Sequence, residues 1–559
     1  MADRIFIGVA WPYPNGPLHL GHLAGCYLPA DIFARYHRMC GDEVLMVSGS
    51  DSHGTPITLK AEAEGIAPRQ VVEKYHATFL DAWEKLGIEF DLFTTTMTDN
   101  HRQTVHDFLR VIDDKGYLYA ETMKVAYSPD FQRFLPDRYV EGTCPHCGNP
   151  DARGDQCGRC GRTLDPIDFV NPFYRRGGKQ YAVEIRDAKH LFFKMSAFRD
   201  QLIAWVGKQD HWRPNVKNFT LGFLNEGLKD RSVTRDIDWG VPVPLEGYTD
   251  KRVYVWFEAV MGYLSASKEW ARCKGDPDAW KPFWQDPATK PYYFIGKDNI
   301  PFHTIIWPSM LMAHGGLDLP HDVPANEFLT LQGRQLSTSR NWAVWVPDYL
   351  AKFPPDPLRY HMTANMPEAS DSDFSWEEYQ RRNNDELVAT FGNLAQRVLT
   401  IAQRNFEARV PDPGQLLAGD RELIAKADAA LESVGASIAA CRFREALGHA
   451  MGLAREANRY IDRQAPWKQV RDDKAGAART IYATLYVLAG LSVMFAPFLP
   501  FSAQQLHAML GRQGSVHAAG WKLTRPLPGT PLPEPRTLFA KLDDAVIQEQ
   551  VARLGQPTP

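Results

Sequence analysis

The chain has 559 residues, 44% of them hydrophobic and 23% charged, with a formal net charge of −4. That length suggests about three or four domains, and the balance excludes a chain-wide basic field, so a polyanion would have to bind through local patches. The N-terminus, "MADRIFIGVAWPYPNG", reads as a strand entering a loop and not as a signal peptide. A cytoplasmic protein is therefore expected. Of the eight cysteines, Cys26, Cys40, Cys273 and Cys441 stand alone and four cluster; without a secretory signal the cluster suggests metal binding over disulfides.

In chain order, "RIFIGVA" (4–10) is a short apolar run of the kind that fills a parallel sheet. "WPYPNGP" breaks it, and "LHLGHLAGCYLPADIFARYHRMCG" then takes up helical spacing that ends at Gly41. A second strand, "EVLMVSGSD", follows. This is a βαβ unit, the opening of a doubly wound α/β nucleotide-binding fold. His19 and His22 fall on one face of the first helical turn, near free N–H groups and the positive dipole end. An ATP phosphate would sit there, with Gly21 letting the backbone approach. Taken alone, an H-x-x-H pair reads sooner as polar capping or surface residues. No Walker A loop competes, because every Gly-Lys is followed by Gln or Asp.

These residues carry a resemblance. "YPNGPLHLGH" resembles the "HIGH" signature of class I aminoacyl-tRNA synthetases, and "SDSHGTPI" (50–57) resembles the second-strand segment of the methionyl-tRNA synthetases. Further matches run almost to the C-terminus. The resemblance implies a Rossmann-type catalytic domain in two halves, 1–116 and 231–325, split by a connective insertion at 117–230. A loop and stem-contact region (326–384) and an α-helical anticodon-binding bundle (385–559) would complete the chain.

In the insertion, "CPHCGNPDARGDQCGRC" places Cys144, Cys147, Cys157 and Cys160 in a C-x2-C-x9-C-x2-C pattern. Four thiolates close a tetrahedral shell, the structural arrangement for Zn²⁺, with no open site for chemistry. A redox role would need only one C-x-x-C pair.

"KRVYVWFEAVMGYLSAS" (251–267) repeats Trp256, Ala259 and Tyr263 at helical spacing, which by itself describes a core face. By resemblance, Trp256 and Tyr263 line a pocket for the methionine side chain, where aromatic rings suit a polarizable thioether. Tyr13, Asp51 and His303 map onto further pocket positions, with Asp51 drawing the substrate's α-ammonium. Trp11 stands where some bacterial relatives carry a smaller aliphatic residue. In "YYFIGKDNIPFHTIIWP" (292–308), Lys297 and Asp298 would approach the nucleotide, which is expected with Mg²⁺.

"GRQLSTSR" (333–340) resembles the family's "KMSKS" loop, with Gln335 and Thr338 in place of both lysines. Arg334 and Arg340 with the hydroxyls of Ser337, Thr338 and Ser339 would then hold the phosphates. The loop leaves two readings: a working methionine–tRNA ligase, or a paralogue that binds tRNA or aminoacyl-tRNA without making it efficiently.

The last third thins in proline and turns helical. The charge-free run at 480–511 reads as a buried core helix in preference to a membrane span. By resemblance, Asn393, Arg397 and Trp467 meet the anticodon of tRNA(Met), since unpaired bases stack on planar side chains. A monomer without membrane association is expected.

Overall fold

The computed structural model describes residues 2–157, 159, 163–338 and 340–556. Five parallel strands form the central sheet, in the order Ala325–Asn326, Lys290–Gly296, Arg4–Val9, Glu43–Ser50, Leu92–Thr95. The chain starts in the middle, winds outward to one side, and returns much later on the other. A crevice therefore opens at the C-terminal ends of Arg4–Val9 and Lys290–Gly296, the switch point where doubly wound sheets place their ligands.

Side chains alternate across a strand, and the first strand uses both faces. Ile5, Ile7 and Val9 enter one core with the helix Leu28–Cys40 and the C-terminal helices. Phe6 enters the other, against Trp284 and Tyr293. Burial on both sides is why this strand reads as a continuous apolar run.

The insertion is built on one long antiparallel pair, Leu118–Ser128 with Glu184–Phe193, in register from Leu118↔Phe193 to Tyr127↔Glu184. A second sheet orders Lys179–Ala182, Val170–Arg176, Val140–Thr143 and Ala152–Arg153. Its own small core includes Ala126, Leu135, Val140 and Tyr174, together with Cys144 and Cys157.

The C-terminal part packs Asn393–Asn405, Ala418–Ala439 and Phe443–Gln464 around Lys474–Phe495. The charge-free run is not one helix, as expected, but the end of Lys474–Phe495 followed by Pro500–Met509. Pro497 and Pro500 withdraw amides at the break, and proline cannot continue a helix interior. Lys474–Phe495 is long and apolar enough to cross a membrane, yet 94% of its most apolar window is buried inside the protein, as befits a helix that is hydrophobic all round.

Arg359, 0% exposed, joins these parts. Its Nη2 meets the buried Asp31 carboxylate at 2.6 Å and the Pro497 carbonyl at 2.9 Å; its Nε and Nη1 donate to the carbonyls of Phe498 and Leu86. Asp31 also receives Arg35 at 2.9 Å. Each charge is paired and hydrogen-bonded, the condition for tolerating burial.

Candidate active site

His19 ends the loop that follows the first strand and caps the one-turn helix Leu20–His22. Its Nδ1 accepts from the Gly21 amide at 3.1 Å, and Nδ1 of His22 accepts from the His19 amide at 3.2 Å. Because an amide only donates, both rings carry their proton on Nε2. Burial, with the His22 charge second, holds His19 well below the usual histidine range, and burial holds His22 at about 4. At neutral pH the pair offers two uncharged Nε2–H donors.

Gly21 also makes room for a neighbouring segment in this geometry. Its amide is taken by His19, and a Cβ there would lie 2.7 Å from Cδ1 of Leu336. The missing side chain admits Leu336 of the 333–340 loop.

That loop begins in a tight hairpin. Gln332 and Gly333, at φ 51° and 71°, turn Leu329–Leu331 back onto Arg334–Gln335, the positive-φ pair that a two-residue hairpin requires. Leu336 then reaches Gly21, and Trp345 lies across His19 with ring centroids 6.0 Å apart. Arg334 is exposed and stands over Trp342 at 4.9 Å; Arg340, also exposed, donates to Ser337 Oγ at 3.2 Å. Thr338 is exposed, and Ser339 lies outside the described residues. The loop is anchored from an unexpected direction: the Gly555 amide donates to the Asn341 carbonyl, and the Asn341 side chain bonds the Gln556 carbonyl and Trp345 Nε1.

Across the crevice, Lys297 and Asp298 start the 3-10 turn Lys297–Asn299. Lys297 is not a lone cation facing the crevice. It bonds Glu327 at 2.8 Å and Asp371 at 2.7 Å and lies 4.1 Å over the Phe328 ring, so contact with a phosphate would exchange one carboxylate for it. Asp298 is exposed beside it.

The aromatic residues gather in close pairs. Trp256 stacks on Phe302 with centroids 4.5 Å apart and meets Tyr13 edge-on at 5.9 Å. Tyr263 donates to His303 Nε2 at 2.7 Å, while His303 Nδ1 donates to the Asn299 carbonyl at 3.0 Å. Burial lowers His303 to about 4, so the ring is neutral. Trp11 meets Tyr263 edge-on at 6.4 Å, its benzo ring slotted against Gly49 and Gly262, where a Cβ would lie 2.3 Å and 2.8 Å away. The two glycines make the space that the large indole needs.

Beneath this wall lies a buried charge cluster that no local pattern announces. Asp51 is 2% exposed and its Oδ1 has no partner among the described residues. Burial and the nearby Glu258 push its pKa well above the usual carboxylate range, against the pull of His53. Glu258, 0% exposed, accepts from His53 Nδ1 at 2.5 Å and faces His101 Nε2 at 3.4 Å. Burial works to raise Glu258, but the two imidazoles hold it down at about 2, and its charge raises His53 in turn.

Away from the crevice, the sulfurs of Cys144, Cys147 and Cys157 all lie within 4.8 Å of one another. Gly148 donates its amide to the Cys144 carbonyl, closing the turn that aims the first two thiols together. Cys160 lies outside the described residues. In the bundle, Arg397 stands 4.9 Å over the Trp467 ring and bonds Asp462 at 2.7 Å; Trp467 is 40% exposed, and Asn393 is exposed one turn before Arg397.

A family model described as tRNA synthetases class I (M) matches residues 5–399, and one described as the anticodon binding domain of methionyl tRNA ligase matches 410–557. The chain belongs to the class I methionyl-tRNA synthetases. Within that family it is 56% identical to the methionine–tRNA ligase of Dehalococcoides mccartyi, over 99% of this chain and 100% of the relative. It is 49% identical to the methionine–tRNA ligase of Thermomicrobium roseum, covering 99% of each. Among solved structures, the Mycobacterium tuberculosis methionyl-tRNA synthetase in complex with methionyl-adenylate matches with a TM-score of 0.81 at 28% identity, over 96% of this chain and 99% of that one. The apo form of the same synthetase matches with a TM-score of 0.73 at 27% identity, over 97% and 99%.

Proposed function

We propose that this chain is a methionine–tRNA ligase that activates L-methionine with ATP and passes it to the 3′ end of tRNA(Met). The observation that carries this reading is the meeting, at one sheet edge, of two neutral Nε2–H histidines and an aromatic pocket with an unpaired buried carboxylate. A methionine carboxylate oxygen attacks the α-phosphate, the bond to the departing pyrophosphate breaks, and methionyl-adenylate results. Positioning and charge stabilisation dominate such a step. His19 and His22 are the phosphate donors, and Arg334, Arg340 and the hydroxyls of Ser337, Thr338 and Ser339 take the outgoing phosphates. Lys297 and Asp298 meet the nucleotide. Asp51 receives the α-ammonium, and Tyr13, Trp256, Tyr263 and His303 enclose the side chain.

Asn393, Arg397 and Trp467 read the anticodon in this scheme, the exposed indole and its guanidinium cover offering flat surfaces to unpaired bases. The domain divisions at residues 116, 230, 325 and 384, a monomeric state and a cytoplasmic location belong to the same proposal. ATP is taken to bind with Mg²⁺, which would share the charge of the pyrophosphate.

The cysteine cluster is proposed as a structural Zn²⁺ site. Cys147 and Cys157 sulfurs are 3.7 Å apart, near the roughly 3.8 Å that a tetrahedral shell with bonds of about 2.3 Å demands. Cys144 and Cys160 would supply the remaining ligands.

One feature favours the paralogue reading: the loop has no lysine. Pyrophosphate exchange with a panel of amino acids, followed by charging of tRNA(Met), separates the two. Methionine-dependent exchange together with charging is the expected result. Exchange with no amino acid, from protein that binds tRNA(Met), would replace the ligase by the non-catalytic paralogue.

A further inference from the structure

The charge cluster under the pocket has more members than ammonium binding alone requires. Asp51 lies in the turn that His53 continues: the His53 amide faces its carboxylate, and Trp239 Nε1 holds the Ser52 carbonyl between them at 2.6 Å. The His53 ring is fixed in turn by Glu258 Oε1 on its Nδ1. A carboxylate without a proton only accepts, so Nδ1 of His53 must carry the hydrogen.

Glu258 is steadied from its other side. Ser265 Oγ donates to the Gly262 carbonyl at 3.0 Å, so it accepts from His101 Nδ1 at 2.8 Å. Nε2 of His101 then faces Glu258 Oε1 at 3.4 Å. Two imidazoles thus flank Glu258. Its Oε2 also lacks a hydrogen bond among the described residues, but its charge is balanced by those neighbours. Asp51 has one such neighbour, His53, set against burial and the charge of Glu258.

We propose that Glu258 is a positioning residue for amino-acid recognition: it pins His53, which fixes the turn carrying Asp51 two residues before it and leaves Asp51 Oδ1 open for the substrate's ammonium. The chain of contacts runs from Glu258 Oε1 through the His53 ring and its turn to Asp51, and Glu258 itself never touches substrate. This rests on the reading of Asp51 as the ammonium anchor. It adds a requirement that reading lacks, namely that a residue 207 positions further along the chain sets the aim of that carboxylate. Neutralising a partner in a buried charge pair costs more than an exposed change would, because the remaining charge is left uncompensated.

The test compares three ligands on the full-length protein: methionine, methioninol, which keeps the ammonium and lacks the carboxylate, and 3-(methylthio)propanoate, which does the reverse. In Glu258→Ala the methionine KM in pyrophosphate exchange should rise about tenfold or more, with kcat within about threefold, the split expected of lost ground-state binding. Methioninol inhibition should weaken by the same factor while 3-(methylthio)propanoate inhibition stays unchanged. Glu258→Gln, which keeps an acceptor for His53 Nδ1, should recover part of the loss. Should Glu258→Ala fail to fold, His53→Gln must show the same selective loss.

Equal weakening of both inhibitors would reduce Glu258 to a packing role and overturn the inference. So would methioninol binding at parental strength in Glu258→Ala and His53→Gln. Asp51→Asn separates the two levels. If it binds methioninol normally, the ammonium reading itself is wrong; if it alone loses methioninol, only the positioning role of Glu258 falls.

Discussion

The Tyr263 hydroxyl donates to one nitrogen of His303, and the other nitrogen donates to the Asn299 carbonyl, so the imidazole at the pocket wall is neutral and fully bonded. Tyr263→Phe would leave a buried acceptor without its donor. The expected cost is about 1–3 kcal/mol of stability, together with a raised methionine KM. Urea denaturation and pyrophosphate exchange check the two effects. Parental stability would mean that the His303 ring finds another donor.

Acid sensitivity follows from the same burial. His303 is lowered to about 4 and His361, 1% exposed with both ring nitrogens unpartnered among the described residues, to about 3. A histidine with a depressed folded pKa binds its proton more readily when unfolded. Stability is therefore full above pH ~6.5 and falls as pH drops toward 4, by on the order of 3 kcal/mol for His303. Denaturation curves at pH 7.5, 6 and 4.5, values chosen to span roughly that window, should show the decline. His361→Leu should flatten it, and an unchanged slope would place the acid-sensitive groups elsewhere.

Arg359 and Asp31 form the fully buried pair that ties the first helix of the sheet domain to the bundle. Arg359→Ala should destabilise the protein by about 3–5 kcal/mol, since Asp31 then keeps only Arg35 and the Glu89 amide and three carbonyls lose their donor. Double substitution with Asp31→Asn should recover part of that loss. A single mutant as stable as the parent would mean that water replaces the guanidinium.

Purified protein should carry one Zn²⁺ per chain, measured by elemental analysis. Cys147→Ser should lower that content and loosen the small sheet around Val140 and Tyr174, because an incomplete thiolate shell binds weakly. Metal-free protein that was never exposed to chelator would sink the assignment.

For the loop, Arg334→Ala and Arg340→Ala should each slow adenylate formation by up to roughly 10²–10³ while methionine affinity stays near parental. Gly21→Ala should also slow it, since its Cβ would displace Leu336. Full-speed arginine mutants in an active enzyme would show that these cations are not the clamp.

The first strand and the clustering of Cys144 with Cys147 were legible because each depends on neighbours within a few residues. A doubly buried strand is apolar throughout, and a turn that brings two cysteines together needs them at fixed spacing. The helical bundle was legible in type but not in detail: composition showed a charge-free stretch, whereas the prolines decided that it would be two helices. The bond between the Gly21 amide and His19 Nδ1, and the nearness of Leu336, were not legible, because both appear only when the chain turns back on itself. The lock on Asn341 was invisible, since its partner Gln556 lies 215 residues away. The bond between His53 and Glu258 spans 205 residues, and single carboxylates in apolar segments carry no local sign of their partners.

The contact of Gly555 and Gln556 with Asn341 has a practical side. A purification tag or fluorescent protein attached just after Gln556 would begin beside the 333–340 loop, the proposed phosphate clamp. Kinetics measured on such a fusion would mix the enzyme's own behaviour with tethered bulk at its working edge. The same closeness recommends the position for a small environment-sensitive dye, whose emission would follow the loop during turnover.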